Sequence, residues 1–169
     1  QQKISAHQEN LKRKRQNLAD LREYWQKIPG ADKTNSKIAL AAAQGFMAFR
    51  ECQVAMEIIT ASLESQWDSE VVRLYGECLG KDTLKQIERA ENWLKQHPQD
   101  AALLQTLGRL CTKQELWGKA QSYLEASLSI EPNAGTHLEL AHLLEKIGRA
   151  DEAGRHYRES MVLLQQQRN

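Results

Sequence analysis

The chain has 169 residues, 41% of them hydrophobic and 27% charged, with a formal net charge of +1. This is the composition of a folded chain long enough to bury a sizeable core, as one domain or one extended array. The near-neutral balance argues against a nucleic-acid binder working by bulk charge, and no apolar run reaches the roughly 18 residues that a membrane span needs. Nine glycines and few β-branched runs favour helix. Cys52, Cys78 and Cys111 lie far apart with no CxxC, and read as free buried thiols in a reducing compartment. The opening QQKIS, without an initiator methionine, is expected of a trimmed piece of a longer protein.

The leading segment, residues 1–29, contains ENLKRKRQNLADLREYWQKI, which reads as a helix with Leu11, Leu18, Leu21, Trp25 and Ile28 on one side, closed by Pro29. Its basic run, Lys12 to Arg15, is expected on the solvent side of that helix. Contact with anionic lipid or an acidic partner is the alternative. Residues 36–66 hold an alanine-rich helix followed by a second with Ala55, Ile58, Ile59, Ser62 and Leu63. Residues 67–98 begin with WDSEVVRLYGECLGKD, where Val71, Val72, Gly76 and Gly80 lower helix propensity and predict a short or irregular element. TLKQIERAENWLKQH then forms a helix stopped by Pro98.

Residues 100–133 and 134–167 are the clearest pairs. Asp100 caps a helix with Leu103, Leu104, Leu107, Leu110 and Cys111 on one stripe, and a second helix from Leu116 ends at Pro132. The next pair repeats this with Leu138, Leu140, Ala141, Leu143, Leu144 and Ile147, a terminator at Gly148, and then Ala153, Tyr157, Ser160, Met161 and Leu164. Pro98 and Pro132 stand 34 residues apart (132 − 98), and Pro29 stands about two such units before Pro98. A period of that size marks stacked helical repeats. Superposed, Gly108 falls on Ala141, Ala120 on Ala153, and Ser127 on Ser160. These are small residues where antiparallel helices approach closely, and Trp117 and Tyr157 supply aromatic packing. The four tryptophans, Trp25, Trp67, Trp93 and Trp117, are expected in the core or between repeats.

Leu107–Gly108, then a small residue, an aromatic, another small residue and proline resemble the tetratricopeptide repeat, a 34-residue helix–turn–helix. The expected fold is therefore an all-α array of about seven to nine helices, stacked as antiparallel pairs in a solenoid. The resemblance puts the first helix of each pair on a concave face and its partner-binding residues at Gln105, Arg109, Thr112, Leu138, His142 and Glu145. Arg109 is the expected hot spot, because its planar fork binds bidentately. The asparagine and lysine clamp of chaperone-binding members is missing.

No catalytic or phosphate-binding motif occurs, and an enzyme is not expected. Acids such as Glu139, Glu145, Asp151 and Glu152 read as solvated helix faces and helix starts. His137 and His142 lie five apart on one helix and do not share a face, so no metal site is expected. The order of strong and weak repeats, from LREYWQKIPG through IALAAAQGF, AMEIITASLES and RLYGECLG, is similar to the C-terminal part of HemY-type proteins. That resemblance implies a bacterial protein of late haem (porphyrin) biosynthesis, anchored in the inner membrane by N-terminal helices that this chain lacks, with its soluble part on the cytoplasmic side. It implies a non-catalytic scaffold for a protein or peptide partner, among them haem-pathway enzymes. The alternative is a direct haem or porphyrin carrier using His142 or His97 as a single axial ligand.

Overall fold

The computed structural model describes every residue of the chain except Leu79, which lies inside the stretch Val71 to Gly80. The described residues form eleven α-helices and one 3₁₀ turn, with no strand among them. They divide into two compact units, Gln1–Lys81 and Asp82–Asn169, and the division falls within the stretch 67–98.

The first unit contains α1 (Gln2–Arg13), a 3₁₀ turn (Lys14–Gln16), α2 (Leu18–Lys27), α3 (Gly30–Lys33), α4 (Ser36–Ala48), α5 (Cys52–Ser65) and α6 (Ser69–Glu77). The single leading helix expected from the sequence is thus broken. At Asn17 the backbone is extended, and the Asn17 side chain accepts from the N–H groups of Ala19 and Asp20, starting a new helix. Arg15, within the basic run, does not simply face solvent: it donates to Gln44 Oε1 at 3.1 Å and to the Ala41 carbonyl at 3.4 Å. The glycine- and valine-containing stretch is a regular helix as far as Glu77. Val71, Val72, Leu74, Tyr75 and Gly76 are buried, so tertiary packing outweighs their weak propensity.

The cysteine expectation is corrected in this unit. Cys52, at the start of α5, and Cys78, just past α6, form a disulfide with their Cα atoms 5.6 Å apart. Among the described residues Cys111 is the free cysteine, and it is buried. Helix periodicity cannot show that the turn between α5 and α6 returns residue 78 to residue 52, so spacing alone read both as thiols.

The second unit contains α7 (Thr83–Gln96), α8 (Ala101–Lys113), α9 (Trp117–Ile130), α10 (Ala134–Lys146) and α11 (Ala150–Arg168). Its core is Leu103, Leu107, Leu110, Ala120, Leu124, Leu140, Leu143 and Ala153, each at most 1% exposed. α8 packs on α9 and α10 on α11. A Cβ on Gly108 would lie 2.5 Å from Leu124, which is why α8 and α9 can approach only over glycine there. The four tryptophans are half-buried rather than members of this core or that of the first unit.

Local rules recur in both units. The first helices α4, α8 and α10 are capped by the side chains of Asn35, Asp100 and Asn133. The second helices α5, α9 and α11 start without a side-chain cap, straight from a tight turn. In each turn one residue has positive φ: Arg50 at 60°, Glu115 at 58° and Gly148 at 83°. The N–H of the next residue returns to a first-helix carbonyl five residues back: Glu51 to Phe46, Leu116 to Cys111, Arg149 to Leu144, all at 2.8–2.9 Å. A buried serine in each second helix then ties back to the start of the first. Ser62 donates to the Thr34 carbonyl, Ser127 to that of Ala101, and Ser160 to that of Ala134, at 2.8–3.2 Å.

Candidate functional site

The six residues expected to bind a partner all lie in the second unit, on α8 and α10. Gln105 is buried, Arg109 and Thr112 are half-buried, and Leu138, His142 and Glu145 are exposed. Leu138 keeps 40% of its surface accessible, an apolar side chain left open beside polar neighbours.

Glu139 organises the strip, and sequence reasoning passed it over as an ordinary solvated acid. Its Oε1 lies 2.5 Å from Arg109 Nε and accepts from Gln105 Nε2 at 3.3 Å. Arg109 is therefore engaged across the gap between α8 and α10, with its side chain 34% exposed and that of Glu139 only 21% exposed. The available signal was positional: Glu139 stands one full period of 34 residues after Gln105.

Thr112 turns back into its own helix, donating to the Gly108 carbonyl at 2.8 Å. His142 and Glu145 meet α11 instead. The His142 ring packs edge-on against Tyr157 at 5.6 Å between centroids, and the Tyr157 hydroxyl donates to Glu145 Oε1. That carboxylate acceptor is the main reason the phenol is held up at about 12. The strip therefore has two parts: a coupled Gln105–Arg109–Glu139 cluster with open Leu138 beside it, and a His142–Tyr157–Glu145 group at the other end of α10.

The residues expected to pack repeats differ in burial. Gly108, Ala120, Ala141 and Ala153 are buried, and Tyr157 is half-buried against α10. Trp117 is half-buried under the Lys146 ammonium, 5.8 Å from its ring centroid, while Pro132 is exposed beyond the end of α9. His97 is the half-buried C-terminal cap of α7. Among the described residues no cluster of three or more histidines, cysteines or carboxylates has metal-site geometry, and no helix is long and apolar enough to cross a membrane.

Helix pairs with small residues at their crossings and positive-φ turns define an all-α, tetratricopeptide-type fold. Solved structures of MamA share it. MamA from Desulfovibrio magneticus RS-1 superposes with a TM-score of 0.66 at 15% identity, covering 99% of this chain and 98% of that one. A second MamA structure gives 0.64 at 17% identity over 92% and 94%, and a third, MamA AMB-1, 0.62 at 16% over 95% and 96%. No family model matches the sequence, and no curated protein matches it either.

Proposed function

We propose that this chain is a non-catalytic scaffold that holds an extended protein segment along α8 and α10. The observation that carries the reading is the Gln105–Arg109–Glu139 cluster bridging the two first helices beside exposed Leu138. A segment laid across it meets donors and an acceptor already fixed in place and one apolar anchor. A carboxylate on the segment exchanges with Glu139 for the Arg109 fork, and a backbone N–H of the segment replaces Arg109 on Glu139. The tetratricopeptide-type neighbours support a protein-interaction scaffold.

The finer reading rests on the HemY-type resemblance: the held segment belongs to the enzymes of late haem biosynthesis, and the chain is attached to a bacterial inner membrane. The Cys52–Cys78 bond favours the oxidising face of that membrane over the cytoplasmic one, because cytosolic thiol pools keep such pairs reduced.

The test uses peptides selected from a displayed random library on the whole chain. Arg109→Glu should weaken the selected peptides by more than tenfold, about 1.4 kcal/mol, with helicity unchanged. Charge neutralisation at Lys12, Arg13 and Lys14 should leave them bound. The opposite pattern would move the binding surface to the basic run, of which Arg13 and Lys14 line a polar cleft with Asn10, Gln16, Asn17 and Asp20, and would overturn the groove.

A further inference from the structure

His137, in the first turn of α10, faces His156 of α11. Their Nδ1 atoms are 2.9 Å apart, the ring centroids 5.1 Å apart, and the planes inclined at 33°. Both rings are half-buried. Two imidazole nitrogens at that distance need one proton between them, so one ring donates its Nδ1–H and the other accepts with its lone pair. The charged groups acting on the pair come from two helices: Glu125 of α9, and Glu152, Arg155 and Glu159 of α11.

We propose that the His137–His156 pair is a pH-operated latch that fastens the start of α10 to α11, closed when a single proton lies between the two Nδ1 atoms and open when both carry one. Addition of one proton to the donor ring, at Nε2, leaves the shared bond intact and charge-assisted. Addition of a second protonates the accepting Nδ1. Two N–H groups then point at each other between two like charges, and the contact is lost.

The direction of control follows from the surroundings. Burial holds both rings below the usual histidine value of 6.5; the His156 charge adds to this at His137 and that of Arg155 at His156, while the three glutamates oppose it without prevailing. The unfolded chain therefore binds more protons than the folded one as pH falls below 6.5. Closure is complete above that value and, because the first proton leaves the bond intact, is lost only at the second protonation, below it. The pair titrates as a unit, in two macroscopic steps. Because α10 also carries Leu138 and Glu139, acidification would loosen one wall of the groove. That last consequence rests on the proposed binding function, whereas the latch does not.

The experiment is ¹⁵N NMR of both imidazoles in the whole chain, with amide exchange of α11 at pH 7.5 and 5.5 corrected for intrinsic exchange. Two coupled steps below 6.5, with protection near Ala153 to Ser160 falling about tenfold more than in α8, are expected. In His137→Gln/His156→Gln the excess loss should disappear. Independent single-step titrations at or above 6.5 in the wild type would overturn the latch. An equal pH-dependent loss in the double variant would overturn it too. If that variant does not fold, the wild-type titration alone decides. The groove reading is judged separately, by Arg109→Glu at pH 7.5, where the latch is closed.

Discussion

The turn between first and second helices offers a pair of substitutions with opposite expected signs. Gly148 sits at φ 83°, and a Cβ there would meet nothing within 4 Å. Alanine at this position fits sterically, so its cost comes from the backbone alone. A left-handed conformation costs an L-residue about 1–2 kcal/mol, and the restricted unfolded chain of alanine returns about 0.4–1 kcal/mol. Gly148→Ala should therefore destabilise by about 1 kcal/mol. Glu115 holds the equivalent place in the preceding pair, exposed and at φ 58°, and carries that strain already. Glu115→Gly relieves it and adds about 0.5–1 kcal/mol of unfolded-state freedom, for a net gain of about 0.5–1 kcal/mol. With a urea dependence of about 2 kcal/mol/M, the midpoint should fall by about 0.5 M for Gly148→Ala and rise by about 0.3–0.5 M for Glu115→Gly. Urea unfolding followed by circular dichroism measures both. Shifts of the same sign, or neither exceeding about 0.1 M, would refute the assignment of strain to this turn.

Reduction of Cys52–Cys78 releases a closure spanning 26 residues, and should cost the first unit about 3–4 kcal/mol while amide protection of α8 to α11 stays unchanged. Equal loss in both units would show that the bond acts on more than its own loop. Ala120 is fully buried where α9 crosses α8, so Ala120→Glu places an unpaired charge in a filled contact. Unfolding free energy should drop by about 3 kcal/mol or more, and a change under about 0.5 kcal/mol would contradict the tight crossing.

How much of this was legible depended on whether the determinant was local. The stops at Pro98 and Pro132, the cap at Asp100 and the terminator at Gly148 are single residues acting on their own helix ends, and each stands where the structure uses it. Arg50 and Glu115 do the work of Gly148 without its signature, since nothing in an arginine or a glutamate announces a positive φ. The break at Asn17 did carry a signal, an asparagine followed three residues later by Asp20. It lay hidden in an otherwise continuous apolar spacing from Leu11 to Ile28. That break and the short α3 bring the helices among the described residues to eleven, against the seven to nine expected.

The candidate site divides on the same line. The 34-residue period was enough to put Gln105, Arg109 and Leu138 on first helices, because position within a helix is periodic. It did not pair Arg109 with Glu139, since an ion pair across two helices depends on the offset between their axes. Histidine shows the consequence most sharply. Judged within α10, His137 and His142 point apart and rule each other out as partners. Nineteen residues along the chain, His156 comes from α11 to within 2.9 Å of His137, a contact that no spacing inside one helix encodes. The groups with altered proton affinity in this unit, Glu91, Cys111, Tyr123, His137, His156 and Tyr157, all take their perturbation partly from a neighbour on another helix. Where helices are individually ordinary, chemistry arises at their crossings, and that of α8 with α9 is set by Gly108 and Ala120.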